Sequence, residues 1–242
     1  MPGRAIPYVK VMVHVVCLWP FLYLMHLYWV GALATLSDPV KFITHFTGDW
    51  ALRMLLITLA VTPVRRLHPG LGWVVRFRRM LGLYCFFYAT LHLATYVFLF
   101  SGYDTATVIA KVRTGELMEP FRQFAKVWPT MVQDAQRRKF VPMGLFAWLI
   151  LLALALTSTQ YSIRSMGGYA WNRLHSWIYI AAIAAVIHYW WQQQAGVWKP
   201  WLATVLLAVL LLSRVWVAVR RAVRAWHAAK LEEQRDEVSE RL

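Results

Sequence analysis

What most limits the fold of this chain is a series of about six apolar stretches, at residues 11–36, 49–63, 81–101, 141–158, 171–191 and 200–219, separated by charged or Pro/Gly-containing breaks. A helix needs about 20 mostly apolar residues to cross the hydrocarbon of a bilayer. Within that layer the backbone must satisfy its own hydrogen bonds, so each stretch is read as a spanning helix. The second and fourth are short and end in breakers or polar residues, Thr62-Pro63 and Thr157-Ser158-Thr159. The composition agrees: 60% of the 242 residues are hydrophobic and the mean hydropathy is +0.46, above the level usual for soluble domains. No internal repeat or low-complexity segment is apparent, and no room is left for a soluble catalytic domain. The expected fold is an all-α integral membrane protein, a single six-transmembrane-helix bundle over residues 1–242. Residues 102–140 form a long outer loop and residues 220–242 a charged inner tail. Arg4 and Lys10 precede a first apolar run that is long for a signal-peptide core and contains Pro20 and His26, so it is read as a retained helix.

The formal net charge of +15 does not indicate nucleic acid, because the basic residues sit beside apolar stretches rather than on a separate polar domain. They set orientation instead, since Lys and Arg next to spanning helices stay in the cytoplasm. Arg65, Arg66, Arg76, Arg78, Arg79, Arg164, Arg173, Arg220, Arg221 and Arg224 fall on one side with Arg4 and Lys10, which places both termini inside. The loop between the third and fourth helices conflicts with this, as it holds seven basic residues from Lys111 to Lys139. It also holds acidic residues, and long loops obey the rule less strictly. A loop of that length with scattered aromatics reads equally well as an amphipathic surface element, a partner-docking surface or a solvated insertion. Membrane lipid is the expected surrounding. Cys17 and Cys85 lie in separate stretches without CxxC spacing, so neither a zinc nor an iron–sulfur site is supported.

Ionisable residues inside a membrane are costly and point to function, which directs attention to the eight histidines. His45, His68 and His227 are read as solvated loop or tail residues, and His26, near the outer end of the first helix, as a structural hydrogen-bonder. His92, His175 and His188 differ, since the first sits midway along the third helix and the other two bracket the fifth. His175 and His188 are 13 residues apart, about 20 Å along an ideal helix axis. That spacing suits two haems stacked across a bilayer. The side chains would point about 140° apart, however, which requires a bulge, a kink or approach from different sides. His92 lies 13 residues beyond Arg79 and His188 15 beyond Arg173, so both reach the same depth and can sandwich one outer haem. His175 is left near the inner face, with His14 or the segment from Arg78 to Met80 as candidates opposite it. Arginine stays protonated and ligates iron poorly, which makes Arg78 a partner for a haem propionate. On spacing alone, haem ligation and polar helix contacts stand level.

The stretch RRMLGLYCFFYATLH (78–92) resembles the signature of the ferric-reductase-like transmembrane superfamily, and within it the MsrQ family of haem-binding membrane subunits. KVMVHVVCLWPFLYL, HFTGDWALR, LAVTPVRR, LALALTSTQ and RLHSWIYIAAIAAVIHYWW are similar to that family in order and spacing. The resemblance implies six spans in the bacterial inner membrane and b-type haem, one or two, ligated by His92, His175 and His188. It also implies an associated FMN and electrons drawn from the quinone pool or a cytosolic flavin reductase. The acceptor would be MsrP, a periplasmic molybdopterin enzyme that reduces methionine sulfoxide in proteins, so the long outer loop would be periplasmic. Two departures from the family bear on partner docking: the loop at 103–136 is longer, and QQQAGVWK follows the fifth helix. Related oxidases carry a second histidine on the third helix where this chain has Arg78.

Iron with histidine on both faces has no open position for substrate, so an outer-sphere electron relay without its own substrate-reducing site is the expected chemistry. The inner arginines suit propionates, FMN phosphate, a quinol head group or lipid head groups. Two other readings stand beside this one. A self-contained transmembrane reductase would need a nucleotide domain, and no GxGxxG follows a strand. A non-haem transport or structural protein would use the histidines as polar contacts.

Overall fold

A computed structural model of the protein describes residues 6–193 and 199–240. Among them all regular structure is helical: α1 (Ile6–Trp29), α2 (Pro39–Leu67), α3 (Arg78–Thr95), α4 (Thr105–Arg113), α5 (Glu119–Arg137), α6 (Phe140–Leu156), α7 (Gln160–His175), α8 (Ile178–Gln192) and α9 (Lys199–Glu240). Short 3-10 segments at Ala32–Thr35 and Pro69–Phe77 and a π turn at Tyr96–Phe100 complete it. Three helical stretches are long and apolar enough to cross a membrane, Ile6–Trp29, Pro69–Phe100 and Pro200–Glu232; α5 and α6 make a fourth if they count as one broken span. The chain is therefore a multi-pass membrane protein.

The core is built by α2, α3, α6 and α8, with Leu55, Leu59, Cys85, Tyr88, Ile150, Leu151 and Ala181 buried in one cluster. Ala181 and Ala182 are 0% exposed. Residues this small let helix backbones approach closely, which matters in a membrane where burial from water contributes little between helices. The buried hydroxyls of Thr47 and Thr58 turn back onto carbonyls of their own helix, Ile43 at 2.9 Å and Met54 at 2.7 Å. Both cysteines are free and buried, as small apolar residues of a core are.

Tyr88 joins α1 to this core in an unusual way. Pro20 lies inside α1 and opens the helix, because it supplies no N–H. The phenol of Tyr88 fills the gap: it accepts from Phe21 N–H at 3.2 Å and donates to the Cys17 carbonyl at 2.6 Å. Those two groups would bond to each other in an unbroken α-helix. At the other side of the bundle, Arg214 of α9 donates to the Leu59 carbonyl at 3.0 Å and to the Tyr179 hydroxyl, tying α9 to α2 and α8.

The helices extend or divide several of the apolar stretches. α2 begins at Pro39 behind the N-cap Asp38, whose carboxylate accepts from Lys41 N–H at 2.9 Å. Its first turns carry His45, Asp49 and Arg53, polar residues that mask the helix in a hydropathy profile. The stretch 171–191 is divided at Ser176-Trp177: Ser176 N–H is shared between Asn172 O at 3.0 Å and Arg173 O at 3.2 Å, and the next bonds run i→i+3, Trp177 N–H to Leu174 O at 3.0 Å and Tyr179 N–H to Ser176 O at 3.1 Å. The connection 102–140 holds α4 and α5, which share a small core of Tyr103, Val108 and Val127. The Tyr103 hydroxyl donates to the Pro120 carbonyl at 3.1 Å, and Lys111 pairs with Glu119 at 3.3 Å. Asp104 caps α4, and hydrogen bonds from the Thr107 side chain and backbone hold its carboxyl below the usual carboxylate range.

Candidate histidine site

His92 and His188 come from different halves of the chain and meet in the core, with ring centroids 6.0 Å apart and planes at 82°. Each is held in the same way. The Nδ1 of His92 lies 2.9 Å from the Thr44 carbonyl on α2, and that of His188 lies 2.7 Å from the Phe140 carbonyl on α6. A carbonyl can only accept, so in both rings Nδ1 carries the proton and Nε2 keeps its lone pair for a metal. This is how metal-bound histidines are usually oriented.

One turn beyond each carbonyl stands a glycine against the ring. A Cβ at Gly48 would lie 3.0 Å from the Nδ1 and Cε1 of His92, and one at Gly144 would lie 2.7 Å from the Nδ1 of His188. The two rings are thus seated in matching cradles, Thr44/Gly48 and Phe140/Gly144. Both line a mostly apolar cavity of about 510 Å³ with Leu55, Ala89, Trp148 and Leu151. A bond from imidazole nitrogen to a first-row metal is about 2 Å. Two such bonds plus the distance from each nitrogen to its ring centre come to about 6 Å, so the observed separation fits one metal atom between the rings. Among the described residues no group of three or more His, Cys, Asp and Glu is placed to hold a bare metal ion. Two nitrogens facing a large apolar cavity fit a metal that brings its remaining ligands with it.

His175 stands apart at the end of α7, so the 140° offset expected of one continuous helix does not arise. Its ring stacks on Trp171 with centroids 3.8 Å apart, and its Nδ1 faces the Trp171 carbonyl at 3.1 Å. Its Nε2 is buried and makes no hydrogen bond of good geometry, although the Leu154 carbonyl lies close to the ring. A buried acceptor left so is costly, and an electrophilic partner would relieve it. His14 is exposed on α1 and bonded through Nδ1 to the Tyr84 hydroxyl at 2.7 Å, a partner other than His175. Arg78, the first residue of α3, lies near enough for its charge to act on both His175 and Arg214. Among the described residues Arg65, Arg66, Arg76, Arg78 and Arg79 form no ion pair with a carboxylate; the basic residues that do are Lys111, Arg122 and Arg138.

His45 is placed differently from its reading as a solvated loop residue. It lies half-buried within α2, bonds to Gln192 Nε2 at 3.1 Å and lines the same cavity as His92. Beside it the Asp49 carboxylate lies close to the Tyr189 hydroxyl of α8. His68 caps the 3-10 segment by accepting from Gly70 N–H at 3.0 Å, and His26 and His227 are exposed.

The family model for the ferric reductase like transmembrane component matches residues 47–186, more than half the chain. The protein-methionine-sulfoxide reductase heme-binding subunit MsrQ of Xanthomonas axonopodis pv. citri (strain 306) is 42% identical over 211 residues, 86% of this chain and 85% of that protein. The chain belongs to the MsrQ family. Membership extends over nearly its whole length: the MsrQ proteins of Xanthomonas campestris pv. campestris (strain 8004) and Ralstonia nicotianae (strain ATCC BAA-1114 / GMI1000) are 39% and 37% identical, over 91% and 92% of this chain and 92% and 91% of theirs. The span matched by the family model contains Gly48, His92, Gly144 and His175 and ends two residues before His188. Both cradles of this MsrQ-family chain therefore lie within or against the segment that defines the wider family.

Proposed function

We propose that the protein is a haem-binding electron carrier of a methionine-sulfoxide reductase system, with haem b held between His92 and His188. The observation that carries this reading is the matched seating of the two rings, each with Nδ1–H given to a main-chain carbonyl, 6.0 Å apart at an apolar cavity. The haem supplies one-electron chemistry when bound. The chain's part is to fix both rings in one tautomer, keep water out with apolar walls, and leave no open position at the metal.

The reading extends to both faces of the membrane. Helices α1, α2, α3, α6, α8 and α9 are the six spans, with both termini cytoplasmic and the α4–α5 connection periplasmic, as the arginine asymmetry supports. His175, with its buried Nε2, is the ligand for a second, inner haem, and Arg78 faces an acidic group there. FMN, and the quinone pool or a cytosolic flavin reductase, stand on the donor side, where unpaired arginines suit phosphate and quinol head groups. The acceptor is the periplasmic molybdopterin subunit MsrP, which carries the reaction on oxidised methionine.

The test is a reduced-minus-oxidised absorbance spectrum of detergent-purified protein. The wild type should show a b-type haem, lost in His92→Ala and in His188→Ala, whereas His175→Ala should remove only part of the signal. A colourless wild type, or full haem in both outer variants, rejects the assignment.

A further inference from the structure

The cavity at His92 and His188 is not enclosed by the core helices alone. Phe124, Trp128, Met131, Val132 and Ala135, all from α5, line it as well. Their spacing of three and four residues puts them on one stripe of a helix, and Arg122, Lys126, Gln133 and Arg137 fall on the opposite stripe. These four polar residues are exposed. The chain turns through 105° between α5 and α6, so α5 crosses the end of the bundle instead of prolonging it. It is fastened at both ends: Tyr103 donates to the Pro120 carbonyl at 3.1 Å, and Asp134 accepts from Tyr96 of the π turn at 3.4 Å while pairing with Arg138 at 3.5 Å. Phe124 and Trp128 lie against each other with ring centroids 5.8 Å apart and line the cavity, yet they keep 39% and 53% of their surface exposed. An isolated surface helix has no reason to aim its aromatic pair into a cavity shared with two histidines.

We propose that α5 is the roof of the outer histidine site, with Phe124 and Trp128 as positioning residues that keep bulk water and water-borne reagents away from His92 and His188. This rests on the haem reading above for its spectroscopic consequences but not for its geometry. Water stabilises the more highly charged oxidised form of a redox centre, so an apolar cover favours the reduced form and raises the potential.

Two measurements on the double variant Phe124→Ser/Trp128→Ser in the full chain test this. In protein from haem-deficient cells carrying Leu93→Cys, a cavity-lining position, a membrane-impermeant maleimide should label the new cysteine several-fold faster when the two aromatics are serine. Lys126→Ser, on the opposite stripe, should leave that rate unchanged. In haem-loaded protein the double variant should keep its haem band while dithionite reduces it several-fold faster and its midpoint potential falls. Unchanged labelling, or acceleration by Lys126→Ser equal to that of the double variant, overturns the roof whether or not haem is present. A colourless wild type with accelerated labelling would reject the haem reading and leave the roof standing.

Discussion

The two cradles that seat His92 and His188 use the same device in different surroundings. In both, the ring nitrogen and its carbonyl are 48 residues apart in the chain, and a glycine follows the carbonyl residue by four. The α2–α3 cradle is polar at its edge, where His45 meets Gln192 and Asp49 meets Tyr189. The α6–α8 cradle is apolar on its α6 side and tighter: α6 has no charged residue, Ala184 and Val186 of α8 are buried, and Gly144 approaches its ring more closely than Gly48 does. Main-chain geometry is what the two share, so it is the requirement, whereas side-chain polarity around the ring is free to vary.

This contrast predicts unequal responses to the same substitution. Gly144→Ala places a methyl group 2.7 Å from His188, a distance real Cβ atoms do not adopt, whereas Gly48→Ala meets His92 at 3.0 Å. Binding sites of this kind tolerate displacements of only about 0.5 Å, so Gly144→Ala should cost more than about half of the haem while Gly48→Ala keeps most of it. Pyridine haemochrome assay of the purified variants decides, and equal losses would mean that the two cradles are equivalent after all.

A smaller effect is expected from Tyr88→Phe, because the α2–α3 half alone carries α1 by inserting a phenol into a broken helix. Loss of that hydroxyl leaves a buried carbonyl and amide with poorer partners, at a cost of about 1–3 kcal/mol. Thermal unfolding in detergent should show it, with the His188 environment unchanged.

Acid should separate the α4–α5 hairpin from both cradles, and this is the smallest effect expected. Hydrogen bonds hold Asp104 and Glu119 below the usual carboxylate range, from Thr107 in the first case and from Gln123 and then Lys111 in the second. A depressed carboxyl adds stability above its ordinary pKa and loses it as the pH falls through the lowered value. Amide exchange of α4 and α5 should therefore quicken only below the ordinary carboxylate range, with that of α2 and α8 unaffected.

Much of this was legible in the sequence, and what was not has physical reasons. Depth counted from Arg79 and Arg173 pairs His92 with His188 without any coordinates, because rise per residue is nearly constant in a helix. Hydropathy hides the start of α2, whose polar residues find partners on α8 that only tertiary structure supplies, and so it misplaces His45 in a loop. The break at Ser176-Trp177 involves ordinary helix-compatible residues and leaves no mark. The glycines leave a faint one, since Gly48 and Gly144 each stand inside a helix at a point where a residue without Cβ lacks a local reason. α5 could have been found from the three- and four-residue recurrence of Phe121, Phe124, Trp128 and Val132.

The carbonyl-held Nδ1–H groups also bear on how charge moves. A ring whose proton is committed to the backbone has none to release or take up when the metal beside it changes oxidation state. In the proposed function, electrons would therefore cross unaccompanied, from a negative interior to a positive exterior, a passage worth about 2.3 kcal/mol per elementary charge for each 100 mV across the membrane. Methionine repair outside the cell membrane would then draw on the membrane voltage as well as on its chemical reductant.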